Sequence, residues 1–324
     1  MFSESGGDRA RAANPKSVPP PSTSTQPPVR PRTSVLVCNY NNGPFIHECL
    51  ASVLAQSPSP DEIIVADDGS TDDSLVTLSR FEPRVTVLRM EHGSGTKIQN
   101  QARVLQAAFE NCTGDIVFLL DGDDSFLPGK IEAYVKAFAA NPRAVMVQAP
   151  MVLIDGDGRG IGLDIDAKRH WRDPLAEMYR RQEVNIHYAT SALAFRRTYL
   201  EQRFPWVDDL HGLAIDTALA IVAPLHGTVF TMDEPFSSWR RHDNAATVIE
   251  PVHFFGETEK KRDYFNRYCR THSFRPLRRW SSPRYWVFWM RNRLLPKTLP
   301  QWARQLRWFF LSDAQRQALL RKQE

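Results

Sequence analysis

Cysteine is scarce in this chain of 324 residues, and its spacing fits neither a metal site nor a redox motif. No pair of cysteines has the spacing of a CxxC motif. Most of them lie in apolar segments, where a free thiol behaves as a small hydrophobic group. Free buried thiols are typical of a reducing compartment, so we expect a cytoplasmic protein. The four cysteines are Cys38, Cys49, Cys112 and Cys269.

Long hydrophobic runs and a strong charge of one sign are also missing. No stretch of about 18 uncharged apolar residues occurs, and the first residues lack the apolar segment of a signal peptide. The formal net charge is only +4, and no recognised nucleic-acid-binding motif is present. We therefore expect neither a membrane span nor a secretory route, and no nucleic acid partner.

What the chain does contain begins with a segment rich in proline, serine and threonine, residues 1–32. This segment has few large apolar side chains, so it cannot bury enough surface to offset the entropy lost on ordering. The sequence predicts a disordered N-terminal arm.

Short β-branched runs then alternate with helical patterns, which predicts an α/β fold. Apolar residues repeat with helical spacing between the first and second runs and between the third and fourth. Strand, helix and strand in this order give a mostly parallel sheet covered on both faces. The predicted strands are 34–38, 62–66, 85–88 and 116–120, followed by strand-like segments at 145–149 and 191–195 and a helix at 216–223.

From about residue 249 the composition changes to arginine, tryptophan and phenylalanine. We therefore predict three parts: the arm at 1–32, a catalytic domain at 33–248 and a basic, aromatic, helical extension at 249–324. Such an extension suits the surface of a membrane with anionic lipid, at the inner face of the cell membrane. A helical cap whose aromatic residues pack on the catalytic domain is the alternative.

Polar residues follow the predicted strands, where a parallel sheet places its ligands. The first strand runs into Asn39, Tyr40 and Asn41, and the second into Asp67 and Asp68. A carboxylate at this position accepts hydrogen bonds from N–H or hydroxyl groups of a ligand, which favours a nucleoside-binding role for Asp68. Local capping of the next helix is the alternative.

Three carboxylates follow the strand at 116–120 within four residues: Asp121, Asp123 and Asp124. A folded core would not concentrate this much negative charge without a cation to offset it. Oxygen ligands suit Mg²⁺ or Mn²⁺, which share phosphate oxygens with a substrate. A solvated acidic turn is the alternative.

In this order, these motifs resemble the GT-A-fold glycosyltransferases of family 2, the large inverting group. The resemblance extends from about Thr33 to Asn244, and it rests on the residues around Asn39, on 67–72, on 114–124 and on 240–244. It implies a Rossmann-like mixed sheet flanked by helices and a nucleotide-diphosphate sugar donor, with uridine diphosphate as the expected carrier. The acceptor would be a hydroxyl of a glycan or lipid-linked glycan in polysaccharide or cell-surface biosynthesis.

The resemblance also assigns roles to single residues. Asp68 would contact the base, Asp121 the ribose or metal, and Asp123 the metal on the donor diphosphate. Asp216 would be the catalytic base, although Ile215 replaces the glutamate that usually precedes it, and Asp216 also suits an ordinary dipole partner at a helix start.

Four further positions are expected to contact the donor. Arg241 and His242 belong to a pattern that resembles the family's Arg-x-His-x-x-Asn, which would place them on the donor phosphates, with His242 beside the metal; a basic surface loop is the alternative. Lys97 and Gln101, together with Gln106 further along the same segment, lie where relatives often carry Gly-Gln followed by Asn.

Two other classes of protein share some of these features. A sugar nucleotidyltransferase normally carries a glycine-rich phosphate loop after its first strand, and residues 39–43 are not such a loop. A non-catalytic nucleotide-sugar-binding protein would keep Asp68, Asp121 and Asp123 but lack a catalytic base. Because Ile215 replaces the family's usual glutamate, this alternative stays open. An NAD-binding protein is disfavoured because no GxGxxG follows the first strand.

Overall fold

The computed structural model describes residues 30–165, 170–206, 210, 212–242 and 254–278. The predicted arm therefore lies outside the described residues except for its last three, and so does the extension beyond residue 278. From Pro31 onward the described residues belong to one compact unit. No described helix is long and apolar enough to cross a membrane.

Strands and helices alternate through the first half of the chain, as the sequence predicts. The elements are β1 (Thr33–Asn39), α1 (Ile46–Leu54), β2 (Glu62–Asp67), α2 (Ser74–Ser79), β3 (Thr86–Arg89), α3 (Lys97–Glu110), β4 (Ile116–Asp121), β5 (Ser125–Phe126), α4 (Lys130–Ala140) and β6 (Ala144–Gln148). The helix α2, which follows the acidic segment after β2, is short.

The second half is more irregular. It contains β7 (Met151–Ile154), β8 (Gly160–Asp164), α5 (Pro174–Arg181), a 3₁₀ turn (Thr190–Ala192), β9 (Ala194–Arg196), α6 (Arg197–Gln202), α7 (Ile215–Val222), a second 3₁₀ turn (Ala223–Leu225), β10 (Thr228–Thr231), β11 (Ser237–Arg240) and α8 (Phe254–Thr271). The predicted strand at 191–195 is thus divided between a 3₁₀ turn and a short strand.

Seven strands form the main sheet in the order β10-β6-β9-β4-β1-β2-β3. All pairs are parallel except those of β9, which is antiparallel to β4 and β6. A smaller sheet has the order β5-β11-β7-β8 and lies beyond the predicted pattern. The sheets are therefore mixed overall, and the α/β prediction is confirmed.

Alternating residues of the central strands supply the two hydrophobic cores. Val35 and Val37 of β1 pack with α1 and α4 on one face. Leu36 and Cys38 pack with α3, α7 and α8 on the other. Because this alternation fixes which face each side chain enters, it also fixes which residues reach the carboxyl edge of the sheet.

Helix α8 shares the second of these cores. Tyr264, Phe265, Tyr268 and Cys269 are buried there together with Leu277. The described part of the predicted extension therefore packs on the main sheet's helical layer, while the boundary near residue 248 stays a prediction.

Candidate functional site

The ends of β1, β2 and β4 lie side by side, because β1 pairs with β2 on one side and β4 on the other. Cys38 is aligned with Ala66 of β2 and with Asp121 of β4, and Asn39 is aligned with Asp67. Parallel register thus brings the polar segments after these strands to one edge of the sheet.

The electrostatics of Cys38 show that three carboxylates meet at this edge. Burial raises the pKa of the Cys38 thiol well above its usual value, and the negative charges of Asp121, Asp216 and Asp68 raise it further. All three carboxylates therefore act on the same buried thiol, although they lie on different elements and Asp216 is distant in sequence.

The segment after β1 is tied to the segment after β2. The Asn39 amide donates to Asp67 Oδ2 at 2.7 Å and to Ser70 Oγ at 3.3 Å. The Asn41 backbone N–H donates to Ser70 Oγ at 2.9 Å. Asn39 is buried, so the structure places it beneath the loop, whereas Tyr40 and Asn41 are exposed at the surface of the cleft.

Asp68 is buried and already holds three partners within the chain. Its carboxylate accepts a hydrogen bond from Arg103, lies 2.9 Å from His92 Nδ1, and is approached by the Gly93 N–H at 3.4 Å. The His92 ring also stacks on Tyr40, with centroids 4.4 Å apart. Tyr40, His92 and Asp68 thus form one cluster at the ends of β1 and β2.

His92 and Arg103 were not predicted from the sequence as site residues. His92 stands in an irregular loop, whose Gly93 carbonyl accepts a hydrogen bond from the Asn100 amide of α3 at 2.8 Å. Arg103 faces the same loop and donates to the Glu91 carbonyl at 2.7 Å. The one signal in the sequence was the i, i+3 spacing of Asn100 and Arg103, which places them on one helix face.

Of the α3 residues expected near the donor, one reaches the acidic turn. Gln101 Nε2 donates to Asp121 Oδ1 at 2.9 Å. Lys97 is exposed in the first turn of the helix. Gln106 instead accepts from the Trp206 N–H at 2.8 Å, which places it outside this cluster.

Residues 121–124 form a tight turn rather than an extended segment. The Asp124 N–H donates to the Asp121 carbonyl at 3.1 Å. Gly122 is required here, because a Cβ atom would lie 2.8 Å from Asn39 Oδ1 and 3.0 Å from the Cys38 carbonyl. The turn separates the roles of its carboxylates: Asp123 faces His242, whose Nε2 lies 3.0 Å from Asp123 Oδ2, and Asp124 points into the protein.

Asp121 carries an unfavourable charge in the absence of a cation. Burial, together with the negative charges of Asp123 and Asp216, raises the pKa of Asp121 to about 7. Hydrogen bonds from Thr190 and Gln101 lower the pKa, but by less. A divalent cation would offset this charge, and the carboxylate oxygens of Asp121 and Asp123 are ligands that suit Mn²⁺ or Mg²⁺, with the His242 imidazole beside Asp123. The residues therefore fit the ion.

The protein side chains supply only part of the coordination shell of such an ion. Among the residues that the structure describes, no three histidine, cysteine or acidic side chains converge as a ready metal cluster. Mg²⁺ and similar ions are typically held by one or two carboxylates and completed by water and substrate phosphate, which matches this arrangement.

The basic segment 240–242 divides into three different environments. Arg240, only 2% exposed, has its guanidinium bound to the carbonyls of Asp123, Asp155 and Gly156 and to Glu48. Its neighbour Arg241 lies over the Trp239 ring at 4.7 Å. Arg240 therefore binds the backbone of the acidic turn from inside the protein and is not available to a ligand. Arg241 and His242 remain partly exposed.

Asp216 stands in the first turn of α7, at the side of the cleft opposite Asp68. Its carboxylate accepts from the Thr217 N–H at 2.6 Å and from the Thr190 hydroxyl at 3.1 Å. Burial raises its pKa, against the hydrogen bonds from Thr217 and Thr190 and the charge of Lys261. Ile215, by contrast, is buried in the core.

The chain is similar to known glycosyltransferases. The chain is 28% identical over 219 residues to an uncharacterized glycosyltransferase of Nostoc sp., an alignment that covers 65% of each protein. Among solved structures, S. aureus TarS 1–349 in complex with UDP superposes with a TM-score of 0.52 at 18% identity, over 72% of this chain and 65% of that one. A mannosyltransferase from Pyrobaculum calidifontis in complex with GDP-Man and Mn²⁺ gives 0.51 at 20% identity, over 74% and 65%.

These structural matches show the fold, which is the GT-A fold predicted from the sequence. The chain spans about two thirds or less of the length of the relatives it matches. The family model described as glycosyl transferase family 2 matches residues 34–204, more than half of the chain. The protein therefore belongs to glycosyl transferase family 2.

Proposed function

We propose that this protein transfers a sugar from a nucleotide-diphosphate sugar to a hydroxyl group, with inversion at the anomeric carbon. The observation that carries the proposal is that the register of β1, β2 and β4 brings Asp68 and Asp121 to one edge of the sheet, where the turn that contacts Asp121 also contacts Asp216. The three carboxylates have different environments and therefore allow three roles: recognition of the nucleobase, binding of the donor diphosphate, and removal of the acceptor proton.

The nucleoside is assigned to the cluster of Tyr40, His92 and Asp68. The buried Asn39 lies beneath this cluster, and the exposed Asn41 lies beside it. Asp68 would exchange a contact with His92 or Arg103 for an N–H of the base. Uridine diphosphate is the proposed carrier, because TarS was solved with UDP and the acidic residue after β2 resembles the family's base-binding position.

The diphosphate is assigned to Asp121, Asp123 and His242, which would hold Mg²⁺ or Mn²⁺. When bound, this ion would neutralise charge on the departing nucleoside diphosphate. Arg241 and Lys97 are the partly exposed and exposed cations expected to contact the phosphates, and Gln101 orients Asp121 through its hydrogen bond.

Asp216 is the proposed general base. Its raised pKa makes it a stronger base than a solvated aspartate, and its hydrogen bonds from Thr190 and Thr217 hold the carboxylate in one orientation. It would remove the proton from the acceptor hydroxyl as this oxygen attacks the sugar from the face opposite the leaving group.

The proposed acceptor is a glycan or lipid-linked glycan, and a peripheral contact with anionic lipid is proposed to bring it within reach. The residues that would make this contact, among them Trp280, Trp286 and Arg291, lie outside the described residues. Mutating Arg291 and the other arginines of the extension and measuring sedimentation with anionic vesicles tests the contact. Unchanged sedimentation would refute the proposed membrane contact.

Asp216→Asn tests the proposed chemistry. We expect transfer to fall by roughly 100-fold or more, because a general base contributes about 10²–10⁴-fold. Donor binding should persist, since Asp216 is not assigned to the nucleotide. The donor is found by a thermal-shift panel of nucleotide sugars with Mn²⁺ present, including UDP-N-acetylglucosamine and GDP-mannose.

The matched control is Asp115→Asn, an exposed aspartate just before β4, at the opposite end of the strand from the site. Its activity should equal that of the wild type. Equal activity of Asp216→Asn and wild type would refute the assignment of the base, and donor binding with no turnover in any variant would favour a non-catalytic nucleotide-sugar-binding protein.

A further inference from the structure

The 3₁₀ turn Thr190–Ala192 lies between the acidic turn after β4 and the start of α7. All three of its residues are buried. Ser191 Oγ accepts from the Asp121 N–H at 3.0 Å and donates to Asp124 Oδ2 at 2.6 Å. One side chain therefore fixes both the backbone of Asp121 and the carboxylate of Asp124.

Thr190 makes the corresponding contact with the other half of the site. Its hydroxyl donates to Asp216 Oδ2 at 3.1 Å. Because Thr190 and Ser191 are adjacent, the same short turn contacts both the carboxylate of Asp216 and the backbone of Asp121.

A buried lysine holds the turn in place from below. Lys130 Nζ donates to the Ser191 carbonyl and to Ser237 Oγ, and the Ser237 hydroxyl in turn donates to the same carbonyl at 2.7 Å. Its Nζ atom lies 4.1 Å from the centre of the Phe126 ring. Lys130 is fully buried, and burial lowers the pKa of its amine well below the usual value.

The other end of the turn is fixed in the same way. The Tyr134 hydroxyl, one helical turn further along α4, donates to the Ala192 carbonyl at 2.7 Å. The turn is thus bound to α4 on one side and to the carboxylates of the cleft on the other. No described contact of Lys130 or Tyr134 reaches the surface of the cleft, so their polar groups serve the turn itself.

We propose that the Thr190–Ala192 turn is a positioning element that couples the donor site to the general base. In it, Thr190 orients Asp216, and Ser191 orients Asp121 and Asp124. Lys130 anchors the turn. This inference rests on the proposed function, because it needs Asp216 as the base. It adds residues to which neither the sequence motifs nor the family resemblance assigned a role.

Thr190→Val tests the coupling. Valine keeps the shape and burial of the side chain but removes the hydroxyl. We expect kcat for UDP-sugar turnover to fall roughly 10- to 100-fold, the size of effect that a misoriented catalytic group produces. The KM for the donor should stay within about two-fold, because Ser191 and Gln101 still hold Asp121. Thr190→Ser should restore at least half of the wild-type kcat.

Thr113→Val is the matched control. Its hydroxyl also donates to a carboxylate, Glu62 Oε1, at 3.2 Å, but at the amino end of the sheet. We expect this variant to lose some thermal stability and to keep its kcat. The thermal shift of each variant with UDP and Mn²⁺ shows whether the donor site is intact independently of turnover.

Two results would overturn the inference while leaving the proposed function standing. The first is an inactive Asp216→Asn variant beside a fully active Thr190→Val variant. The second is a Thr190→Ser variant as slow as Thr190→Val, because the hydroxyl would then not be the group that matters. An active Asp216→Asn variant would instead remove the base assignment itself.

Discussion

At the scale of the residue, Arg240 shows how burial changes the meaning of a motif. In the sequence it belongs to a basic segment expected on the donor phosphates. In the structure its guanidinium donates four hydrogen bonds, to Asp123, Asp155, Gly156 and Glu48. The planar guanidinium presents several N–H donors in a fixed arrangement, so this one side chain can bind several carbonyl groups at once.

We expect Arg240→Met to lower the free energy of unfolding by about 3 kcal/mol, because three carbonyl groups around the acidic turn lose a charged donor. Arg241→Met is the control. Arg241 is partly exposed and stacks on Trp239, so the same substitution should cost no more than about 1 kcal/mol. Urea denaturation measures both; equal losses would contradict the role of Arg240 as a buried clamp.

At the scale of the element, Glu62 joins three strands at the end of the sheet away from the site. Its Oε1 accepts from Ser34 Oγ of β1 at 2.6 Å and from the Gly114 N–H before β4 at 2.9 Å. Burial acts to raise the pKa of Glu62, but the hydrogen bonds from Ser34, Thr113 and Gly114 outweigh it, so the pKa lies below the usual value of 4.5.

A carboxylate whose pKa is lowered by folding stabilises the protein above its unfolded pKa, and this contribution is lost as the pH falls through the folded pKa. We expect Glu62→Gln to lower the free energy of unfolding by roughly 0.5–1 kcal/mol at pH 7, allowing for solvent screening of a partly exposed group. The difference from wild type should be constant above about pH 5.5 and should shrink below about pH 4.5.

Urea denaturation over this pH range checks the prediction for the strand ends. Glu132→Gln is the control, since Glu132 forms only an exposed pair with Lys136 on α4 and should change the stability little. A difference between Glu62→Gln and wild type that grows as the pH falls would contradict the account of Glu62.

At the scale of the whole molecule, the main sheet could be predicted from the sequence because its signals are local. Runs such as 35–38 and 116–120 are uniformly apolar, and Asp67, Asp68 and Asp121 stand just after the ends of such runs. Asp216 came from the family resemblance, and its place beside the other two carboxylates depends on the sheet order. The parallel register then brings all three together.

What could not be predicted depends on contacts between distant segments. The small sheet is built partly from Ser125–Phe126 and Ser237–Arg240, which show no period-two alternation. Lys130 resembles any helix-surface lysine until the 3₁₀ turn covers it, and the predicted strand at 191–195 concealed this turn. The pairing of Asp68 with His92 and Arg103 depends on an irregular loop whose course no local pattern specifies.

The central claim is that Asp123 holds a divalent cation on the donor diphosphate, and calorimetric titration of UDP with and without Mn²⁺ tests it most directly. For wild type and for Asp115→Asn we expect Mn²⁺ to tighten UDP binding about ten-fold or more, which is at least about 1.4 kcal/mol. For Asp123→Asn we expect this enhancement to fall to about two-fold or less, while binding without Mn²⁺ is kept. The same enhancement in Asp123→Asn as in wild type would contradict the account.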